Sequence, residues 1–205
     1  DLSGMVIAVA EDLPGVPVAR EVRQTLTAAR QTFVDLGAQV ETIEPDLGKA
    51  MEVFQILRAA NLAVTGRLLD RDLPDWRSHA KDPAIWNIEK GFELTAQQII
   101  DAELARTRLY RGWCEIMARV DGLVLPSAQV LPFSIDLDWV REIEGQEMAT
   151  YIDWMTVCCA ISITGFPTIS VPGGFSPSGL PVGVQIVAGP RQDRKLLAIA
   201  HRFEA

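Results

Sequence analysis

"TGFPTISVPGGFSPSGLPVGVQIVAG", residues 164–189, is the stretch whose reading decides the fold. Two runs that favour extended backbone flank a segment of glycine, proline and serine, so it reads as strand, loop, strand. Glycine and proline punctuate it throughout, yet it holds no histidine, carboxylate, lysine or arginine. So much backbone specification around nothing that titrates argues for a role in shape. A phosphate loop needs a helix after its glycines, with amide groups aimed at the anion. Here more strand follows, and no Lys-Ser/Thr pair closes the loop. Gly174-Phe175-Ser176-Pro177-Ser178 also fails as a nucleophile elbow, because its last position is serine and no helix follows.

Working outward, "RQDRKLLAIAHRFEA" (191–205) reads as an amphipathic helix with Leu196, Ala200 and Phe203 inward. Upstream, residues 146–163 read as helical, with Thr156, Val157 and Ile161 weakening that expectation through branching at Cβ. "LVLP" (123–126) is a buried strand, and a loop containing Pro132 follows. A helix carrying Leu109, Trp113, Ile116 and Val120 precedes it, ended by Asp121-Gly122 and opened by Thr95-Ala96-Gln97-Gln98. That opening is a capping box, with Leu94 and Ile99 placed for a hydrophobic staple. "RDLPDWRSHAKDP" (71–83) reads as a charged surface loop after a stripe of Val53, Leu57, Ala60, Val64 and Leu68.

At the amino end, "MVIAV" (5–9) reads as a buried strand. Val18, Val22, Leu26, Ala29, Phe33 and Leu36 then recur at helical spacing, and Gly37 stops that helix in the left-handed conformation. Val40 and Ile43 alternate as in a half-buried strand, so strand, helix, strand forms a parallel unit. The expected architecture is α/β, a mixed sheet flanked by helices in a single domain over residues 1–205. A helical excursion occupies about 45–119, the sheet and hairpin 121–189, and the terminal helix 191–204.

The chain has 205 residues and a net charge of −8, which argues against nucleic acid or an anionic membrane as partner. No apolar run reaches the ~18 residues of a membrane span. The amino end shows no basic flank or cleavage pattern, and a first residue of Asp1 suggests a segment of something longer. Three cysteines, Cys114 and the adjacent Cys158 and Cys159, are a poor disulfide framework and suit a reducing cytoplasm.

Candidate chemistry is sparse. His79 and His201 are isolated, and no cysteine stands at metal-ligand spacing to either, so no metal site is expected. Cys158 or Cys159 could be a nucleophile, but apolar neighbours raise a thiol pKa, and packing is the favoured role. Trp139 and Trp154 read as packing residues, and Asp136, Asp138, Glu142 and Glu144 as solvated charges.

Residues 163–204 resemble the carboxy-terminal end of amidase signature enzymes, a family that also includes the amidase-like component of glutamyl-tRNA amidotransferases. Gly165, Pro167, Ile169, Ser170, Val171, Pro172, Gly174, Gly179, Leu180, Pro181, Gly183, Gln185 and Ile186 carry the match. "DGLVLPSAQVLP" (121–132) resembles the family's Asp-x-Leu-Leu-x-Pro-Thr segment, and "DLSGMVIAVAED" (1–12) the start of its second half. Ser162 and Thr168 depart from the family's usual asparagine and alanine.

The resemblance implies acyl transfer from an amide. A serine attacks the carbonyl, a bridging cis-serine and a neutral lysine move its proton, and backbone amides hold the oxyanion. That triad lies in the family's amino-terminal half. This chain has no Ser-Ser pair, and Lys49, Lys81, Lys90 and Lys195 stand in unlike surroundings. The resemblance therefore implies no catalytic residue here, no metal or organic cofactor, and inactivity of the chain alone. Its implied contribution is sheet and substrate-pocket wall, from Pro126, Ser127, Trp154, Cys158 and Gly165. The implied partners are a small-molecule amide and a missing amino-terminal half, with self-association through exposed apolar surface as a further expectation. The alternative is a non-catalytic binding or scaffold module built on the same half-fold.

Overall fold

The computed structural model describes residues 1–47 and 49–205. Among the described residues, seven strands and six α-helices follow one another. They are β1 (Val6–Val9), α1 (Arg20–Asp35), β2 (Gln39–Thr42), α2 (Ala50–Asp72), α3 (Asp82–Phe92), α4 (Ala96–Met117) and β3 (Gly122–Pro126). Then come β4 (Glu142–Ile143), β5 (Gln146–Glu147), α5 (Thr156–Ser162), β6 (Thr168–Phe175), β7 (Pro181–Val187) and α6 (Asp193–Glu204).

Five strands form one mixed sheet in the order β2-β1-β3-β7-β6. β1 pairs in parallel with both β2 and β3. β7 runs antiparallel to β3 and to β6, so the glycine–proline hairpin closes one end of the sheet. Period-two alternation sends neighbouring side chains to opposite faces. Ile7, Val9, Val124, Val184 and Ile186 meet Leu26, Phe33, Leu196 and Ile199 beneath α1 and α6. Ala8, Leu123, Leu125 and Val187 meet Val53, Trp113, Met117, Val157 and Ile161 of α2, α4 and α5. The fold is therefore three layers, helix–sheet–helix, with two buried apolar seams.

Local signals explain the element ends. Gly37 has φ +87°, as the helix stop required, and the amides of Leu36 and Gly37 close onto Thr32 and Val34 carbonyls. Thr95 and Gln98 cap each other reciprocally at the start of α4. Phe33 stacks on Phe203 with centroids 4.8 Å apart, tying α1 to the inward face of α6.

The structure differs from the sequence reading in four places. Residues 146–163 are not one helix. They form β5, a 3-10 turn at Asp153–Met155 and the short α5. Glu144 and Gly145 both take positive φ, giving the tight turn of the unforeseen β4–β5 hairpin. The 71–83 loop contains a 3-10 turn at Trp76–Ser78 in which Trp76 is buried and donates to Asp70 at 3.0 Å. On α2, Val64 and Leu68 are exposed, whereas Ala59 and Gly66 are buried. Small residues, not the large stripe, make the α2–α3 contact. A Cβ on Gly91 would stand 2.1 Å from the Ala59 carbonyl oxygen. Finally, α4 ends at Met117, and Gly122 lies in β3.

Candidate active-site wall

β3 delivers Pro126 and Ser127 to its carboxyl end, beside β7 and β6. Four polar side chains organise that end. Gln185 is buried on β7 and donates from Nε2 to the Pro126 carbonyl at 2.9 Å and the Val157 carbonyl at 3.3 Å. It thereby clamps the end of β3 to the start of α5. Gln129, fully buried, donates to the Pro17 carbonyl at 2.9 Å and accepts from the Val157 amide at 3.3 Å. Buried carboxamides without partners would be costly, so these contacts fix the loop after β3 in one place.

The Ser127 and Ser170 hydroxyls lie 2.7 Å apart. The backbone beneath them permits this. A Cβ on Gly183 would sit 2.9 Å from Ser127 Oγ and 3.2 Å from Ser170 Oγ, so glycine at 183 keeps room for the pair. Cys158, on α5, donates its thiol to the Ser127 carbonyl at 2.9 Å. Burial pushes the Cys158 thiol up, and burial followed by the neighbouring Cys158 pushes Cys159 up to about 12. A thiol held in the protonated form is a hydrogen-bond donor and a poor nucleophile.

The structure thus brings Pro126, Ser127 and Cys158 together. Trp154 occupies the 3-10 turn before α5, its ring edge-on to Phe133 at 5.4 Å. Its indole N–H is buried with no partner among the described residues. Gly165, with φ +68°, forms the exposed turn beyond the other end of α5. Ser170, Gly183 and Gln185 complete the cluster, and sequence reasoning misses them as site residues. The available signal is Gln185, a carboxamide inside an otherwise apolar strand. Gln129 gives no such signal, because its loop has no periodicity.

Among the described residues, no lysine or histidine hydrogen-bonds the hydroxyl pair. Lys195 Nζ meets Asp121 Oδ1 at 2.8 Å, before β3 begins and at the opposite end of the strand from Ser127. Partial burial raises Asp121, and the Lys195 ammonium and Val6 amide outweigh it, leaving its carboxyl below the ordinary value. His79 is exposed beside Asp75 at 3.3 Å, and His201 is exposed on α6. No group of three or more His, Cys, Asp or Glu among the described residues is placed to hold a metal ion. Asp136 and Asp138 are exposed, whereas Glu144 accepts from the Arg20 amide at 2.8 Å at the start of α1. What the cluster can do chemically is offer hydroxyl and thiol hydrogen bonds on a rigid wall. It contains no base to activate a nucleophile.

Comparison with known proteins defines the class. The family model described as Amidase matches residues 1–197. The chain belongs to the amidase family. An acylamidase of Rhodococcus erythropolis is 29% identical over 209 residues, covering 100% of this chain and 43% of the relative. The A-type subunit of the glutamyl-tRNA(Gln) amidotransferase from an Exiguobacterium species is 27% identical, covering 100% of this chain and 45% of its own length. A crystal structure of a bacterial aryl acylamidase of the amidase signature family superposes with TM-score 0.84 at 24% identity, over 99% of this chain and 44% of that one. The chain therefore spans less than half the length of the relatives it matches. Among the described residues, no helix is long and apolar enough to cross a membrane.

Proposed function

We propose that these 205 residues are the carboxy-terminal half of an amide-hydrolysing enzyme whose serine nucleophile and lysine base lie upstream. The observation that carries this reading is the hydroxyl pair at the end of β3. It is rigidly built, lined by Cys158 and clamped by Gln185, yet has no basic group to deprotonate it among the described residues. Family membership and coverage of under half of each relative support the same division of labour.

In this reading Pro126, Ser127, Trp154, Cys158 and Gly165 form one wall of the amide pocket. The unpartnered indole N–H of Trp154 supports it, because a buried donor without an acceptor is unfavourable until something outside these residues supplies one. The open edge of the sheet supports a packed upstream half. Among the described residues β6 pairs with β7 alone, and it carries exposed Thr168, Ser170 and Pro172 on one face. It has no charged residue, Pro172 and the register irregularity between Pro172 and Gly174 interrupt the edge midway, and Phe175 at its end is 74% exposed. The chain alone is inactive and tends to self-associate through these surfaces.

The test is to extend the expressed product upstream and compare it with the 205-residue chain on a panel of anilides and aliphatic carboxamides. The extended product should contain a Ser-Ser pair and a preceding lysine and hydrolyse amides, while the short chain should not. Hydrolysis by the short chain would refute the proposal. An extended product lacking that serine pair would turn the reading toward a non-catalytic binding module.

A further inference from the structure

A cavity of about 540 Å³ opens between α2, α4 and the end of α5. Its walls include Phe54, Leu57, Ile99 and Ile163, and Arg58, Arg106 and Glu103 also line it. Arg106 is matched. It donates to the Ile163 carbonyl at 2.8 Å and stands 3.6 Å from Glu103. Arg58 is not. Among the described residues its hydrogen-bond partner is a neutral amide, Asn87 Oδ1 at 3.0 Å, and no carboxylate lies within ion-pair distance. Among the described residues, Arg58 is therefore a lining cation without a paired carboxylate, in a chain whose net charge is −8.

That charge is also held still. Arg58 lies 6.0 Å from the Phe54 ring centre and 5.5 Å from the Tyr151 ring centre. Asn87, itself 3% exposed, is fixed in turn by donating to the Pro83 carbonyl at 2.7 Å and to the Tyr151 hydroxyl. A guanidinium has five N–H donors in a rigid fork that suits a carboxylate, and here one of them serves Asn87. Preorganisation of this kind lowers the entropic cost of binding an anion. The apolar walls suit a hydrocarbon or aromatic body, and the volume is that of a small-molecule pocket.

We infer that this cavity binds a small organic carboxylate, with its carboxylate on Arg58 and its apolar body against Phe54, Leu57 and Ile99. Binding requires no catalysis, so its failure and the failure of the amide-hydrolysis reading are separable. The test is calorimetric titration of the 205-residue chain with 4-phenylbutyrate and with its neutral analogue 4-phenylbutyramide. The acid should bind at least about tenfold more tightly than the amide, and Arg58→Gln should abolish that difference while Arg58→Lys keeps part of it. Equal affinity for acid and amide overturns the inference, and that comparison needs no variant to fold. Absence of saturable acid binding up to about 10 mM, or undiminished preference in Arg58→Gln, overturns it as well.

Discussion

The sheet and the α2–α3–α4 lobe hold together by different means. In the sheet, Ile7, Leu123, Val124 and Ile186 are fully buried between helices on both faces. Those contacts come from large side chains at strand period, and they close within these residues. In the lobe, Gly66 and Gly91 let α2 and α3 approach so closely that a Cβ on Gly66 would lie 2.3 Å from Ile88 Cγ2. Meanwhile Val64, Leu68, Ile100 and Leu104 remain exposed on α2 and α4. One region covers both of its faces within these residues while its β6 edge stays unpaired among the described residues. The other depends on close backbone approach and leaves apolar surface over. Missing partners should therefore be sought at the apolar surface of the lobe as well as at the β6 edge.

The largest expected effect is in the sheet. Ile186→Ala removes a side chain packed in the seam beneath α1 and α6 and should cost about 3–4 kcal/mol in urea unfolding. It should lower the stability of the whole chain, since both layers rest on that strand. Next comes the lobe. Gly91→Ala forces the new Cβ against the Ala59 carbonyl, and α2 and α3 must separate at about 2–3 kcal/mol. Hydrogen exchange should then show protection lost in α2 and α3 but kept in β1, β3 and β7. Equal loss everywhere would erase the contrast between the regions.

Gly183→Ala tests the hydroxyl pair. Its Cβ would meet Ser127 Oγ and Ser170 Oγ, so the pair should part at about 1–2 kcal/mol of stability. The smallest effect is at the start of β3. Asp121→Ala removes acceptors from the Val6 amide and Lys195 and should cost about 1 kcal/mol. Because the folded carboxyl is lowered, its contribution is present above about pH 4 and lost as pH falls through the folded value. Melting curves of the wild type and Asp121→Ala should therefore diverge at neutral pH and converge in acid.

How much of this is legible in the sequence follows the same division. The hairpin, β1, α1, β3 and α6 can be read because large apolar residues recur at one clean period, and Gly37 marks a stop. The order β2-β1-β3-β7-β6 cannot, because strand neighbours depend on contacts far apart in sequence. On α2 the apolar stripe misleads, since Val64 and Leu68 face outward while glycine and alanine make the contact. Trp76 reads as a surface residue because charged neighbours mask a single buried ring. At the candidate wall, Pro126, Ser127 and Cys158 are reachable through the resemblance. Gln129 is not, and Ser170 is reached as a matching residue but not as the partner of Ser127, because a hydroxyl pair and a loop clamp leave no periodic trace.

The most direct measurement is mass spectrometry of the 205-residue chain after treatment with a fluorophosphonate, a reagent that captures activated serines. Ser127 and Ser170, hydrogen-bonded to each other without a base, should remain unmodified over hours at neutral pH. An adduct on either hydroxyl would show a working nucleophile within these residues and contradict the assignment of the chemistry to an upstream half.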